Sequence, residues 1–110
     1  MNKYFNKKVN GYDSKREFKR ANQLNLLHTS GIISNLQEQV PFTLLESFDH
    51  ESGNERGIKY YADFVYFDEE KQRWVIEDVK SKMTKKLPTY IIKRKLVKMY
   101  YPKYLFLEIF

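Results

Sequence analysis

The chain contains two kinds of hydrophobic pattern, and the first is helical. Residues 14–30 carry apolar side chains at three-residue intervals: Ala21, Leu24 and Leu27. This spacing predicts an amphipathic helix, because residues three and four apart share one face. Ser14 and Glu17 fit a capping box at its start, and Gly31 follows its end. Since Glu17 lies four residues before Ala21, it begins the face that packs inward.

The second pattern is typical of strands. Strands are predicted at about 39–48, 58–67, 73–80 and 104–110. The polar turn 68–72 predicts that the second and third strands form a hairpin. Residues 32–36 connect the first helix to the first strand, and 49–57 has the composition of a mobile surface loop. Residues 1–12 form a basic lead-in with aromatic residues, broken at Gly11.

A second helix is predicted from Pro88, a favourable first-turn residue, to about Tyr100. Its predicted buried face consists of Ile92, Leu96 and Met99. The order helix, three strands, helix, strand predicts an α/β layer arrangement. A chain of 110 residues is long enough for one core, so a single domain over residues 1–110 is expected.

Composition narrows the class of protein. The chain has no cysteine, which excludes disulfides and thiolate metal sites. It has no apolar run near the roughly 20 residues of a membrane span and no signal-peptide stretch at its start. We therefore expect a soluble intracellular protein with no membrane partner.

Charge is concentrated in one segment. The net charge is +6, and residues 80–98 contain no acid. The basic residues there are Lys80, Lys82, Lys85, Lys86, Lys93, Arg94, Lys95 and Lys98. Such a segment indicates a polyanion partner, although a solvated helix face has the same composition. Within this segment Lys82, Lys85 and Lys86, with Lys93 and Arg94, are the predicted phosphate contacts.

Two aspartates lie within strand patterns that otherwise favour burial. Asp63 and the sequence Asp78-Val79-Lys80 lie on opposite strands of the predicted hairpin. Because an unpaired buried carboxylate is costly, these acids need a partner. If the hairpin places Asp63 beside Asp78, both acids and Lys80 emerge on one side of the sheet, and a first helix covering that side adds Glu17.

Oxygen ligands of this kind favour Mg²⁺, with Mn²⁺ as a substitute, and the main-chain carbonyl of Val79 is a further candidate ligand. A cation held there promotes deprotonation of water and stabilises charge on phosphorus, while Lys80 orients that water or stabilises the same charge. Two simpler explanations remain open. Turn amides or Lys80 can satisfy the two aspartates, and the capping box by itself can explain Glu17.

These residues carry a resemblance to a known superfamily. Glu17, Asp63 and Asp78-Val79-Lys80, followed by a basic helix, resemble the PD-(D/E)xK nucleases. Four strings are similar to a family of small phage-encoded putative endonucleases grouped with Holliday-junction resolvases: YDSKRE from Tyr12, ISNLQEQ from Ile33, YADFVY from Tyr61 and VIEDVK from Val75. The resemblance covers about residues 3–106. Aspartate stands at position 78, where the superfamily more often has glutamate.

The resemblance implies a fold, an activity and residue roles. The implied fold is a restriction-endonuclease-like α-β-β-β-α-β core with helices flanking a mixed sheet. Asp63 and Asp78 would bind metal, Lys80 would be the catalytic lysine, and Glu17 would be the acid of the first helix. Gln39 matches a recurring glutamine near the active site. Glu77 replaces Asp78 if a bulge shifts the strand register.

The predicted function is a Mg²⁺-dependent DNA endonuclease acting on branched or junction DNA. A homodimer is expected because resolution of a four-way junction needs two symmetric cuts, and the expected location is the cytoplasm, of the host if a phage encodes the chain. Two alternatives remain. One is a non-catalytic nucleic-acid-binding module on a degenerate nuclease fold, and the other is a nuclease acting on RNA.

Overall fold

The computed structural model describes residues 14–110, and the predicted lead-in at 1–12 lies outside them. Helix α1 spans Lys15–Thr29. The side chain of Ser14 caps it, because Ser14 Oγ accepts a hydrogen bond from the Glu17 amide at 3.1 Å. Gly31, with φ of +79°, lets the chain leave the helix in a left-handed conformation. The predicted first helix is confirmed to within a residue.

Six strands follow: β1 (Ile33–Leu45), β2 (Phe48–His50), β3 (Gly53–Glu55), β4 (Ile58–Asp68), β5 (Arg73–Val79) and β6 (Leu105–Ile109). Between β5 and β6 lie a 3₁₀ turn, Thr84–Lys86, and helix α2, Pro88–Tyr100. The main sheet has the order β1-β4-β5-β6, antiparallel except for the parallel pair β5–β6. The predicted α/β fold with a mixed sheet is therefore confirmed.

Two predictions about the first strand and its following loop are wrong. Strand β1 begins at Ile33, six residues before the predicted start, and ends at Leu45. The strand contains a bulge between Ser34 and Gln37, with φ of +53° at Asn35, and its pairing with β4 continues on both sides of the bulge. The predicted loop at 49–57 contains most of a short hairpin formed by β2 and β3, which we call the arm together with its flanking residues 45–47 and 56–58.

The helices lie on opposite faces of the sheet. The core beneath α1 contains Ala21, Leu24, Ile33, Phe64, Tyr66 and Val75. The core beneath α2 contains Phe42, Leu44, Tyr60, Ala62, Val65, Ile76 and Val97. Adjacent residues of β5 thus point into different cores, as strand alternation requires.

The predicted buried face of α2 is wrong for two of its three residues. Ile92 is 59% exposed and Met99 is 61% exposed, whereas Tyr90 and Val97 are buried. Ile92 lies two positions after Tyr90, about 200° around the helix, so only one of them can face the sheet. Tyr101 and Tyr104, beyond the helix, stack edge-on against Phe42 with ring centroids 4.9 and 5.3 Å away and supply aromatic bulk on that side.

A buried ion pair joins α1 to the sheet. Arg20 donates from Nε and from Nη2 to the two carboxylate oxygens of Glu77, each at 2.7 Å. Glu77 is fully buried and also accepts a hydrogen bond from the Tyr66 hydroxyl. The ion pair fixes α1 against the Glu77 face of β5.

Arg20→Met should destabilise the protein by about 3 kcal/mol, because it leaves the Glu77 carboxylate buried without its cation. The double variant Arg20→Met/Glu77→Met should recover most of that loss. The measurement is urea unfolding, with Arg16→Met, an exposed arginine of the same helix, as a control that changes stability by less than about 0.5 kcal/mol. An equal loss in the single and double variants would contradict the assignment.

Candidate functional site

The alternation of side chains along β4 breaks at Asp63. Ala62 lies in the core beneath α2, but Phe64, two residues later, lies in the core beneath α1. On β1, Gln39 occupies the position opposite Asp63 and has φ of +52°, which is rare for a residue other than glycine. The distortion therefore lies at the predicted site. The side chains that follow Asp63 lie on the faces opposite to those that regular alternation predicts.

The side chains of Asp63, Glu17 and Gln39 form one hydrogen-bonded group. Gln39 Nε2 lies 3.2 Å from Asp63 Oδ1 and 3.2 Å from Glu17 Oε2 and donates to both. The other oxygen of Asp63 accepts a hydrogen bond from the Val79 amide at 2.7 Å. The structure thus brings together Glu17, Gln39, Asp63 and Val79, and capping alone does not describe the position of the Glu17 carboxylate.

Asp78 has a separate set of neighbours. Its Oδ2 accepts a hydrogen bond from the Tyr60 hydroxyl, and its Oδ1 lies 3.1 Å from Lys80 Nζ. Asp78 is 2% exposed, and the approach of Lys80 to Oδ1 is an ion pair without the geometry of a hydrogen bond. Lys80 Nζ also lies over the ring of Tyr90, 4.7 Å from its centroid.

The sequence predicts α1 over the Asp78 side of the sheet, and this prediction is wrong. The helix packs on the Glu77 side, because Glu77 points toward Arg20. One cleft is lined by Glu17, Asp63 and Val79, and a second by Asp78 and Tyr90; Lys80 lines both. Within residues 14–110 no group of three or more His, Asp or Glu side chains has an arrangement that could hold a metal ion.

Both aspartates are disfavoured as anions in the metal-free protein. Burial, with a smaller contribution from the charge of Asp78, raises the pKa of Asp63 to about 6, against the opposing hydrogen bond from the Val79 amide. Burial also raises the pKa of Asp78, although the hydrogen bond from Tyr60 and the Lys80 charge oppose it. Burial raises the pKa of Tyr60 as well, so its hydroxyl stays protonated and donates.

The carboxylates of Asp63 and Asp78 and the carbonyl of Val79 have the chemistry to hold a hard cation. Carboxylate and main-chain carbonyl oxygens are the ligands that Mg²⁺ and Mn²⁺ prefer. Asp78 Oδ1 is buried and accepts no hydrogen bond within the described chain, so it has coordinating capacity to spare. The charge of Asp78 helps to raise the pKa of Asp63, so the two carboxyl groups are close enough to interact. A cation between them would favour the ionised form of both.

Glu77 does not take the place of Asp78. Both of its oxygens are held by Arg20, and the pairing of β4 with β5 runs without a register shift from Phe64–Glu77 to Asp68–Arg73. No bulge therefore turns Glu77 toward the site.

The predicted phosphate contacts divide into two groups. Lys82, Lys85 and Lys86 are exposed beside the site, and Lys93 lines the same cleft as Asp78. Arg94 is turned inward, with Nη1 3.9 Å from Glu108 Oε2. The segment that carries the first three lysines is held by reciprocal hydrogen bonds, Ser81 N to Thr84 Oγ1 at 3.0 Å and Thr84 N to Ser81 Oγ at 3.1 Å.

A family model covers nearly the whole chain, matching residues 1–108. The chain belongs to the DUF1064 family. The description of that family is a protein of unknown function. No curated protein and no solved structure matches the chain. Within residues 14–110 of this DUF1064 protein, no helix is long and apolar enough to cross a membrane.

Sequence reasoning missed three side chains that lie around Asp78 and Lys80. Tyr60 binds Asp78, and Tyr90 lies under Lys80 while its hydroxyl donates to Glu108. The tyrosines follow the strand and helix patterns, so nothing in the sequence separates them from ordinary core residues. Glu108 did carry a signal, because it is an acid inside an apolar strand, as Asp63 and Asp78 are.

Replacement of Asp63 by asparagine should change how the stability of the metal-free protein depends on pH. The folded-state pKa of about 6 lies above the ordinary value of 3.8, so the contribution of Asp63 to stability is present below pH 4 and is lost as the pH rises through 6. The stability of Asp63→Asn relative to wild type should rise by on the order of 2 kcal/mol between pH 4 and pH 8, because asparagine does not titrate. Its amide nitrogen cannot accept the hydrogen bond from Gln39 or from Val79, which costs stability at every pH.

This dependence is measured by urea unfolding between pH 4 and 8 with a chelator present. Glu51→Gln, which removes an exposed carboxylate of the arm, is the matched control and should follow the wild type throughout. A stability difference between Asp63→Asn and wild type that does not change with pH would show that Asp63 ionises normally.

Proposed function

We propose that this chain is a metal-dependent nuclease that hydrolyses phosphodiester bonds in DNA. The observation that carries the proposal is the arrangement around Val79: Asp63 binds its amide, and Asp78 and Lys80 flank it in sequence and pair with each other. Aspartates held in a sheet with a lysine beside them suit phosphoryl chemistry, because each group interacts with a different part of a phosphate ester.

The residues have distinct roles in this proposal. Asp63, Asp78 and the carbonyl of Val79 would hold Mg²⁺ or Mn²⁺, with Glu17 beside them. When bound, the cation lowers the pKa of water and stabilises negative charge on the phosphate. Gln39 positions the Asp63 and Glu17 carboxylates, since one amide nitrogen donates to both.

Lys80 would contact the substrate in this proposal. Its side chain is 27% exposed, lines both clefts, and is held by the Asp78 charge and the Tyr90 ring. From there its ammonium group donates hydrogen bonds to a phosphate oxygen and stabilises the charge that develops during cleavage. Tyr60 is a positioning residue, because its hydroxyl fixes the orientation of the Asp78 carboxylate.

The resemblance to PD-(D/E)xK nucleases supports the same conclusion. The main sheet and its helices follow the order α-β-β-β-α-β, with the arm inserted between the first two of those strands. Glu17 lies on the first helix, Asp63 on the second strand of that order, and Asp78 with Val79 at the end of the third.

The proposed substrate is branched or junction DNA, and the proposed assembly is a homodimer acting in the cytoplasm. Both follow from the resemblance to junction resolvases. Exposed Lys82, Lys85 and Lys86 lie directly after the site and suit contact with the phosphates on either side of the cut.

The second candidate is a DNA-binding module without catalysis, and one observation favours it. Asp63 and Asp78 open into different clefts, and the described residues contain no ready three-ligand group. In such a protein the acids would be held by Gln39, Tyr60 and Lys80, and the basic surface alone would have a function.

Cleavage is tested with a labelled four-way junction and a matched linear duplex, each with Mg²⁺ and with a chelator. Wild-type protein should cut the junction only with Mg²⁺. Asp78→Asn and Lys80→Met should each lower the rate at least about 100-fold, because Asp78 would hold the cation and Lys80 would stabilise the charge on the reacting phosphate. Binding of the junction should persist in both.

Glu70→Gln is the matched control for cleavage, since Glu70 is an exposed acid in the turn of the same hairpin and should leave the rate unchanged. Undiminished Mg²⁺-dependent cutting by purified Asp78→Asn would refute the assignment of the site.

Metal binding is tested separately by thermal unfolding. Millimolar Mn²⁺ or Mg²⁺ should raise the melting temperature of wild type in a concentration-dependent way at pH 8, because a ligand that binds only the folded state stabilises it. The increase should be small in Asp63→Asn and Asp78→Asn. DNA binding by a wild-type protein whose melting temperature ignores both metals would favour the non-catalytic module.

A further inference from the structure

Helix α2 presents an apolar stripe that nothing in the described chain covers. Ile92, Lys95 and Met99 follow one another at helical spacing on its outer side, and we call them the outer stripe. Ile92 is 59% and Met99 61% exposed. Lys98 is exposed beside them, and α2 contains four basic residues and no acid. The stripe is therefore both apolar and positively charged.

The arm has the complementary character. All of residues 45–58 are exposed, including Leu45 at 42%, Phe48 at 45% and Ile58 at 42%. Residues 46–56 contain four acids, Glu46, Asp49, Glu51 and Glu55, against Arg56, a net charge of −3 in a chain of net charge +6. The arm is thus apolar and negatively charged. Like the outer stripe, it exposes a group of large apolar side chains, which is typical of a surface that binds another protein.

We propose that the arm of one copy of this chain packs on the outer stripe of a second copy, and that the contact is reciprocal about a twofold axis. The base of the arm and the end of α2 lie side by side, because the Tyr101 hydroxyl donates to the Thr43 carbonyl at 2.8 Å. Each copy therefore offers both surfaces in one region, as a self-complementary interface requires.

A second copy fits these surfaces better than nucleic acid does. The phosphates of DNA would be repelled by the acidic arm, and they would leave Phe48, Ile92 and Met99 in water. Reciprocal packing covers the apolar side chains of both surfaces and places acids opposite lysines. The inference rests on the homodimer proposed above and specifies its interface. The surfaces are distinct from the acid–lysine site, so the test measures no cleavage and its outcome is independent of the proposed chemistry.

The test is a pair of charge-reversed variants examined by analytical ultracentrifugation. Asp49→Lys/Glu51→Lys/Glu55→Lys makes the arm positive, and Lys95→Glu/Lys98→Glu makes the stripe negative. Wild type should sediment at twice the 13.4 kDa chain mass. Each variant alone should be monomeric, because its two surfaces then carry the same sign of charge. An equimolar mixture should again form dimers, since both contacts in the mixed pair join opposite charges.

Glu70→Lys and Lys71→Glu, which reverse charges in the exposed turn between β4 and β5, are the matched controls and should remain dimeric. Circular dichroism checks that every variant is folded. A wild type that is still monomeric at 100 µM would overturn the proposal, because this concentration is about 100-fold above a micromolar Kd. Dimeric single variants, or a mixture that stays monomeric, would overturn it as well.

Discussion

The arrangement of this protein depends on the break in side-chain alternation where Gln39 faces Asp63. A strand that kept its period of two would bury Ala62 and Phe64 on the same face of the sheet. The left-handed backbone of Gln39 and the reversal at Asp63 place them in different cores. The acid at the point of reversal accepts a hydrogen bond from the Val79 amide on the neighbouring strand and lines a cleft with Glu17.

Two adjacent acids of β5 show how the same residue chemistry serves different purposes. Glu77 points toward α1, where Arg20 and Tyr66 satisfy it completely. Asp78 points to the other face and keeps one buried oxygen without a hydrogen bond. A paired carboxylate stabilises the position of a helix, whereas an incompletely satisfied one is disposed to bind a cation or a proton. Strand alternation alone separates these two environments.

Three exposed surfaces of the described residues carry charge in different chemical settings. The exposed lysines at 82, 85 and 86 adjoin the acid–lysine site, the outer side of α2 combines lysines with apolar residues, and the arm carries acids with apolar residues. Of these three surfaces, the first has the character of a phosphate-binding surface. The net charge of +6 would suggest one basic face, but the apolar residues of α2 and the arm favour protein contact at the other two.

The sequence by itself determined the helices and the hairpin of β4 and β5, and it singled out Glu17, Asp63, Asp78 and Lys80 as candidates, because periodicity, caps and acids in apolar strands are local features. It did not determine the start of β1 or the hairpin of the arm, since a bulge and short-range pairing override composition there. Only the tertiary structure decided which side of the sheet α1 covers, which side of α2 is buried, and that Asp63 and Asp78 line different clefts. Those outcomes depend on the packing of both cores at once, and one break in alternation at Asp63 reverses every face assignment on its far side.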